Sequence, residues 1–215
     1  MTEAEILYDH EAFSSLVSVK KDTLGGALPD ALHTHLISLL ERSENIDRYR
    51  GYFFRYFPSY AFPKKFVKAL GYIGKSGSAY YWKSNEILTA KGCSTNHGFG
   101  KWRGVFLKYS DRLYLVEYDT ANASTPVSSS IFYPSYRTRV DYLLGVQNGM
   151  PLRKGRQIRA SRVLLEYIGA DIDLRSNLRQ CGLFEEGDAG LPEYVVDLLN
   201  SRTTQGAHIV NVDEP

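Results

Sequence analysis

The chain is 215 residues long, 43% hydrophobic and 23% charged, with two cysteines and a formal net charge of +2. Those proportions suit a globular chain with material for a real core, and they exclude a low-complexity, collagen-like or disulfide-stapled chain. No stretch approaches the length of a membrane-spanning helix, and the first ten residues (MTEAEILYDH) are acidic, unlike a signal peptide. Cys93 and Cys181 lie in different parts of the chain, so the expected state is two free thiols in a reducing cytoplasm.

The charge is unevenly spread. Residues 1–47 carry 3 Lys and Arg against 9 Asp and Glu, residues 48–167 carry 20 against 6, and residues 168–215 carry 3 against 9. A centre of balance +14 thus lies between two flanks of −6 each, and 14 of the 16 tyrosines fall in that centre.

In chain order, residues 4–20 place Ile6, Leu7, Phe13, Leu16 and Val17 as a short amphipathic helix would, and Gly25-Gly26 breaks it. Pro29-Asp30 starts a second helix, with Leu32, Leu36, Leu39 and Leu40 at helical spacing. His33 and His35, two apart, fall on different sides of it and do not pair for a metal. From residue 48 the period becomes two. Residues 48–57 put Arg48, Arg50, Tyr52, Phe54 and Tyr56 on one face, with Tyr49, Gly51, Phe53, Arg55 and Phe57 on the other. Strands are expected at 66–73 and 79–88, joined by a turn at 74–77, then a loop over 90–100. Residues 102–108 and 113–118 form a hairpin about Tyr109-Ser110-Asp111-Arg112, with Trp102, Gly104 and Phe106 on one face of the first strand. In the second strand Tyr114, Val116 and Tyr118 oppose Leu113, Leu115 and Glu117. Further strands are expected near 129–133, 140–147 and 158–168. Beyond Gly169, Asp171 or Asp173 caps a short helix that Gly182 ends, residues 192–201 form another, and the last ten residues are a polar tail.

About eight strands at hairpin spacing, without helical crossovers, imply a mainly β protein with peripheral helices: an antiparallel meander that closes into a barrel. Glycines 51, 71, 104 and 145, each inside a strand, are expected at bulges or bends of the curled sheet. The expected organisation is a helical segment over 1–47, the barrel-like domain over 48–168, and short helices with a tail over 169–215.

No G-x-S-x-G, H-E-x-x-H or Walker loop occurs. Gly74-Lys75-Ser76 lacks the upstream glycine of a phosphate loop, and Cys93-x-x-x-His97 is too short to define a metal site. The reading is non-enzymatic, with no catalytic residue, metal or cofactor assigned. The basic, tyrosine-rich centre is the stronger signal, because guanidinium groups bind anions and aromatic faces stack on bases. Candidate ligand residues are Arg48, Arg50, Tyr52, Arg55 and Tyr56, then Arg137, Arg139 and Tyr142, and the densest cluster Arg153, Lys154, Arg156 and Arg159. Tyr52 and Tyr142 are expected to point inward at the barrel mouth. The competing reading is that the acidic flanks dock on the basic sheet and neutralise it.

Five stretches carry a resemblance: Tyr49-Arg50-Gly51-Tyr52-Phe53-Phe54, Trp102-Arg103-Gly104-Val105-Phe106-Leu107, Asp111-Arg112-Leu113-Tyr114-Leu115-Val116-Glu117, Tyr142-Leu143-Leu144-Gly145-Val146 and Arg159-Ala160-Ser161-Arg162-Val163-Leu164-Leu165-Glu166. Together they resemble the β-rich C-terminal region of some bacterial helix-turn-helix regulators of the Cro/repressor (XRE) class. The first 47 residues carry no recognisable helix-turn-helix. The resemblance therefore implies the sensing part of a regulatory protein linked to transcription, and the basic centre adds the expectation that what it binds is an anionic small molecule such as a nucleotide. A nucleic-acid-binding module with a basic face and stacking tyrosines is the alternative. A homodimer or a protein partner is compatible with either.

Overall fold

The structure, a computed structural model, describes residues 30–89, 96–121, 126–149, 158–200 and 209–212. Its centre is the expected hairpin. Strands β4 (Asn96–Tyr109) and β5 (Arg112–Asp119) pair antiparallel from Tyr109↔Arg112 to Trp102↔Asp119, about a two-residue turn in which Ser110 takes φ 55°. The same pairing repeats along the chain through β1 (Gly51–Pro58), β2 (Lys65–Ser76), β3 (Ala79–Thr89), β6 (Val127–Phe132), β7 (Tyr142–Gly149) and β8 (Ile158–Gly169). β1 then pairs with β8, from Tyr52↔Gly169 to Tyr56↔Leu164, and eight antiparallel strands close into a barrel.

Two further short strands extend the wall. β9 (Gly182–Glu185) pairs with the start of β2, and β10 (Ile209–Val212) pairs with the start of β8. Both correct the sequence reading, which ended a helix at Gly182 and left the last ten residues as a tail. Other boundaries move too. Asp47–Tyr49 is a 3-10 turn, so Arg48 and Arg50 precede β1 instead of lying on it. β2 runs on through Gly74-Lys75-Ser76, and the reversal is Gly77-Ser78, with Gly77 at φ 58°. β4 begins at Asn96, inside the expected loop. The helix expected over 4–20 lies outside the described residues.

Alternation shows where the walls face water. β5, β6 and β7 bury every second residue, whereas β1, β2 and β3 are buried on both faces. The second face of β1, β2 and β8 is covered from outside. Cys181, Phe184 and Leu191 join Val195, Val196 and Leu199 of helix α3 (Glu193–Asn200) against Phe54, Tyr56, Phe66, Leu70 and Leu164. The two remaining helices are α1 (Asp30–Glu41) and α2 (Leu174–Leu178). Asp173 caps α2, its Oδ1 accepting the Ser176 N–H at 3.0 Å.

Inside the barrel, Phe53, Ile73, Trp82, Phe106, Phe132 and Leu165 form the main core. Ile46 and Tyr49 of the segment before β1, fully buried, plug one end. Gly71 makes no bulge; it yields space. A Cβ there would stand 2.1 Å from the Trp82 ring, so the bare backbone lets the indole lie across β2.

Candidate ligand site at the polar end of the barrel

In five of the eight strands the inward-facing row changes from apolar to polar along its length. In β3 it reads Trp82-Ser84-Glu86, in β5 Leu115-Glu117-Asp119 and in β7 Leu143-Gly145-Gln147. In β6 and β8, which run the other way, the order reverses to Ser128-Ser130-Phe132 and Ser161-Val163-Leu165. Antiparallel pairing therefore gathers the polar members at one end, opposite the plug of Ile46 and Tyr49. A cavity of about 80 Å³ opens there, walled by Arg55, Glu86, Trp102, Glu117, Gln147 and Phe57, among others.

A buried network runs along one side. Arg55 Nη1 is 2.6 Å from Glu117 Oε1, with the two side chains 3% and 1% exposed. The N–H is not well aligned with the carboxylate, so the pair is held chiefly by charge. Arg55 Nη2 donates to Gln147 Oε1 at 2.8 Å, and its guanidinium lies over the Phe57 ring at 5.2 Å. Gln147 Nε2 donates to Ser161 Oγ at 3.4 Å, and that hydroxyl shares a 3.1 Å hydrogen bond with Tyr60 OH. Arg159 Nη1 closes the rim by donating to the Tyr60 carbonyl. Burial pushes the Glu117 carboxyl up, while Arg55 and then the Trp82 indole pull it back.

Glu86 occupies the other side. Burial raises its carboxyl to about 7; Arg55 opposes this, Glu117 and Asp119 add to it, and the Trp102 N–H offsets it in part. Glu86 pairs across the ladder with Gly100, where a Cβ would stand 2.9 Å from Trp102 Nε1 and 3.2 Å from Glu86 Oε2. The absent side chain leaves both polar atoms facing the same gap. Asp119 has a structural task, since its Oδ1 accepts the N–H groups of Lys101 and Ala121 at 3.1 and 2.8 Å. Ser84 Oγ and Ser130 Oγ, both buried at this end, have no hydrogen-bond partner, and the N–H groups of Trp82 and Trp102 face the Glu117 and Glu86 carboxyls without well-aligned geometry.

The sequence candidates are dispersed by the fold. Arg55 lies inside the cavity wall and Arg159 at its rim. Tyr52 and Tyr142 do not point inward. Tyr52 stacks outside on Tyr72 at 4.6 Å, and Tyr142 is exposed, because their neighbours Phe53 and Leu143 take the interior. Tyr56 is also outside the barrel, beneath α3, where its OH donates to Glu166 Oε2 at 2.7 Å. Burial and Glu166 push that phenol far up. Arg48 and Arg50 sit at the plugged end, Arg48 donating to the Arg137 carbonyl and Arg50 lying 3.8 Å from Asp47. Arg137 pairs with Asp141 at 3.0 Å, and Arg139 is exposed. Arg153, Lys154 and Arg156 lie outside the described residues, as do Cys93 and the side chain of His97. Sequence reasoning passed over Glu86, Glu117, Gln147 and Trp102. For Glu86, Glu117 and Gln147 the signal was a charged or amide side chain toward one end of an otherwise apolar row; Trp102 carried none.

The acidic flanks do engage the basic centre. Glu44 pairs with Lys108, Asp47 with Lys75 at 3.0 Å, and Glu185 with Lys65 at 3.3 Å. Among the described residues no group of three or more His, Cys, Asp or Glu could hold a metal, and no helix is long and apolar enough to cross a membrane. Comparison with family models, curated proteins and solved structures gives no match, so the site is read from its own chemistry.

Proposed function

We propose that the barrel is a small-molecule-binding module whose ligand enters the polar end, and that its role is sensing rather than catalysis. The observation that carries this reading is the contrast between the ends. One is filled by buried side chains, while the other holds a cavity with polar groups not yet partnered. A link to transcriptional control rests on the resemblance to regulator sensing regions. An anionic ligand, suggested by the regional charge, finds less support in this cavity, because Arg55 is committed to Glu117 and Gln147.

The test is a small-molecule library screened by thermal shift against the full chain and against Gly149→Leu. Gly149 lines the cavity, and a Cβ there meets nothing closer than 3.4 Å, so a side chain can start from this position and take up space at the mouth. Ligands of the barrel should stabilise the parent and not the variant. Hits that stabilise both equally, or no hits at all, would count against the reading.

The nucleic-acid alternative keeps one specific observation. Tyr133 and Tyr136 are 59% and 81% exposed beside Arg137, and the Arg112 guanidinium lies 4.5 Å over the Tyr133 ring. Short single strands titrated at low salt, with Tyr136→Ala as control, decide it: a stacked base is worth ~1–3 kcal/mol.

A further inference from the structure

We propose that the ligand of this cavity carries an organic ammonium group on an apolar body, and that Glu86 receives that group. The inference rests on the reading of the cavity as a ligand site and names what the site selects. Glu86 is 8% exposed and faces the cavity. The charged and polar groups around it come from three strands: Arg55 on β1, Trp102 on β4, and Glu117 and Asp119 on β5. Arg55 is the cation among them, and its close contacts are with Glu117 at 2.6 Å and Gln147 at 2.8 Å. Glu86 is therefore a buried acid without an ion-pair partner of its own among the described residues.

Ligand charge decides what happens to it. An anion would meet Glu86 and Glu117 with the nearby guanidinium already engaged, at the cost of like charges in a poorly solvated space. A metal ion is disfavoured because the interior carboxyls do not converge as ligands. An ammonium supplies the missing counter-charge and donates to the carboxylate, with the Trp102 ring beside it in the cavity wall. The rest of the wall, including Val67 and Leu88, suits a hydrocarbon body.

A pH signature follows. The ammonium favours ionised Glu86, so affinity should climb about tenfold per pH unit below the Glu86 pKa and level off above it. The probes are benzylamine, benzyl alcohol and benzoate, matched in shape, titrated calorimetrically into the full chain at pH 6 and pH 8. Expected is binding of benzylamine at least tenfold tighter than either analogue, stronger at pH 8 than at pH 6. Glu86→Gln should lower benzylamine affinity to that of the alcohol. Should that variant not fold, the pH comparison on the parent still decides. Benzoate binding best, benzylamine affinity unchanged between the two pH values, or no binding by any of the three overturns the ammonium proposal. The ligand-site reading stands or falls separately, on library hits lost in Gly149→Leu.

Discussion

Arg55→Met tests the polar end directly. The substitution roughly keeps the volume of the side-chain stem but strands Glu117, which is 1% exposed and has Arg55 at 2.6 Å. It also takes from Gln147 Oε1 its 2.8 Å donor. Breaking a buried pair in this way costs about 3–5 kcal/mol, because the remaining charge is neither solvated nor compensated. For a chain of this size that lowers the melting temperature by roughly 6–20 °C. Adding Glu117→Leu removes the stranded charge, so the double variant should recover most of the loss, a coupling of roughly 2 kcal/mol or more. Loss of the guanidinium also lets burial push the Glu117 carboxyl further up. The deficit of Arg55→Met should then widen as pH rises above the ordinary carboxylate range. Urea unfolding of the four proteins, followed by tryptophan fluorescence and far-UV circular dichroism, gives each number. A single-variant cost under about 1 kcal/mol, or a double variant no more stable than Arg55→Met, would refute the reasoning by showing the pair to be solvated.

Glu86 is raised from its ordinary 4.5 to about 7 in the fold, so its contribution to stability is complete below about 4.5 and is lost as pH rises to about 7. At about 1.4 kcal/mol per unit that is about 3 kcal/mol, and Glu86→Gln should remove this part of the difference in unfolding free energy between pH 4.5 and pH 8; an unchanged difference would show that Glu86 is hydrated. Gly71→Ala should destabilise by about 1–3 kcal/mol or more, since the new methyl meets the Trp82 ring at 2.1 Å and that ring is wholly buried. A parent-like urea midpoint would mean that the indole can move aside.

What could be read from the chain depended on whether a strand has one wet face. In β5, β6 and β7 every second residue is buried, and the strands themselves were legible from the sequence; the facing was not, since Tyr142 of β7 was expected inside and Leu143 takes the interior. β1 is covered on both sides, so Tyr52 and Phe53 compete as equally apolar candidates for the interior, and sequence alone does not break the tie. β9 and β10 span four residues each, too short for a period to declare itself; their pairing is set by the strands they join. The glycine signal was real but misattributed. Gly71 and Gly100 leave room for rings and carboxyls, and of the four glycines expected at bends only Gly51, at φ 135°, sits beside a register shift. Arg55 shares a face with Phe53 and Phe57, so once the fold turns that face inward Arg55 becomes an interior cation that needs an acid. Glu117, next after Leu113 and Leu115 on the inward row of β5, is that acid.

Charge density was the least transferable clue. The central +14 is an average over a region, whereas a bound ligand responds to the few groups lining its site, where water does not screen them. The basic residues lie mostly outside the barrel, and many are already engaged. Lys108, Lys75 and Lys65 face acids of the flanks, Lys68 Nζ donates to the Gly190 carbonyl at 3.4 Å, and Arg162 Nη1 donates to that of Leu198 at 3.1 Å. Such exposed pairs add little stability, but they lower the outer field. The cavity wall reverses the sign, with Glu86 and Glu117 against Arg55. Strand alternation allows this reversal, since neighbouring residues of one strand belong to different surfaces. The outer rows can be basic to receive the acidic flanks, while the inner rows leave Glu86 without an ion-pair partner of its own among the described residues.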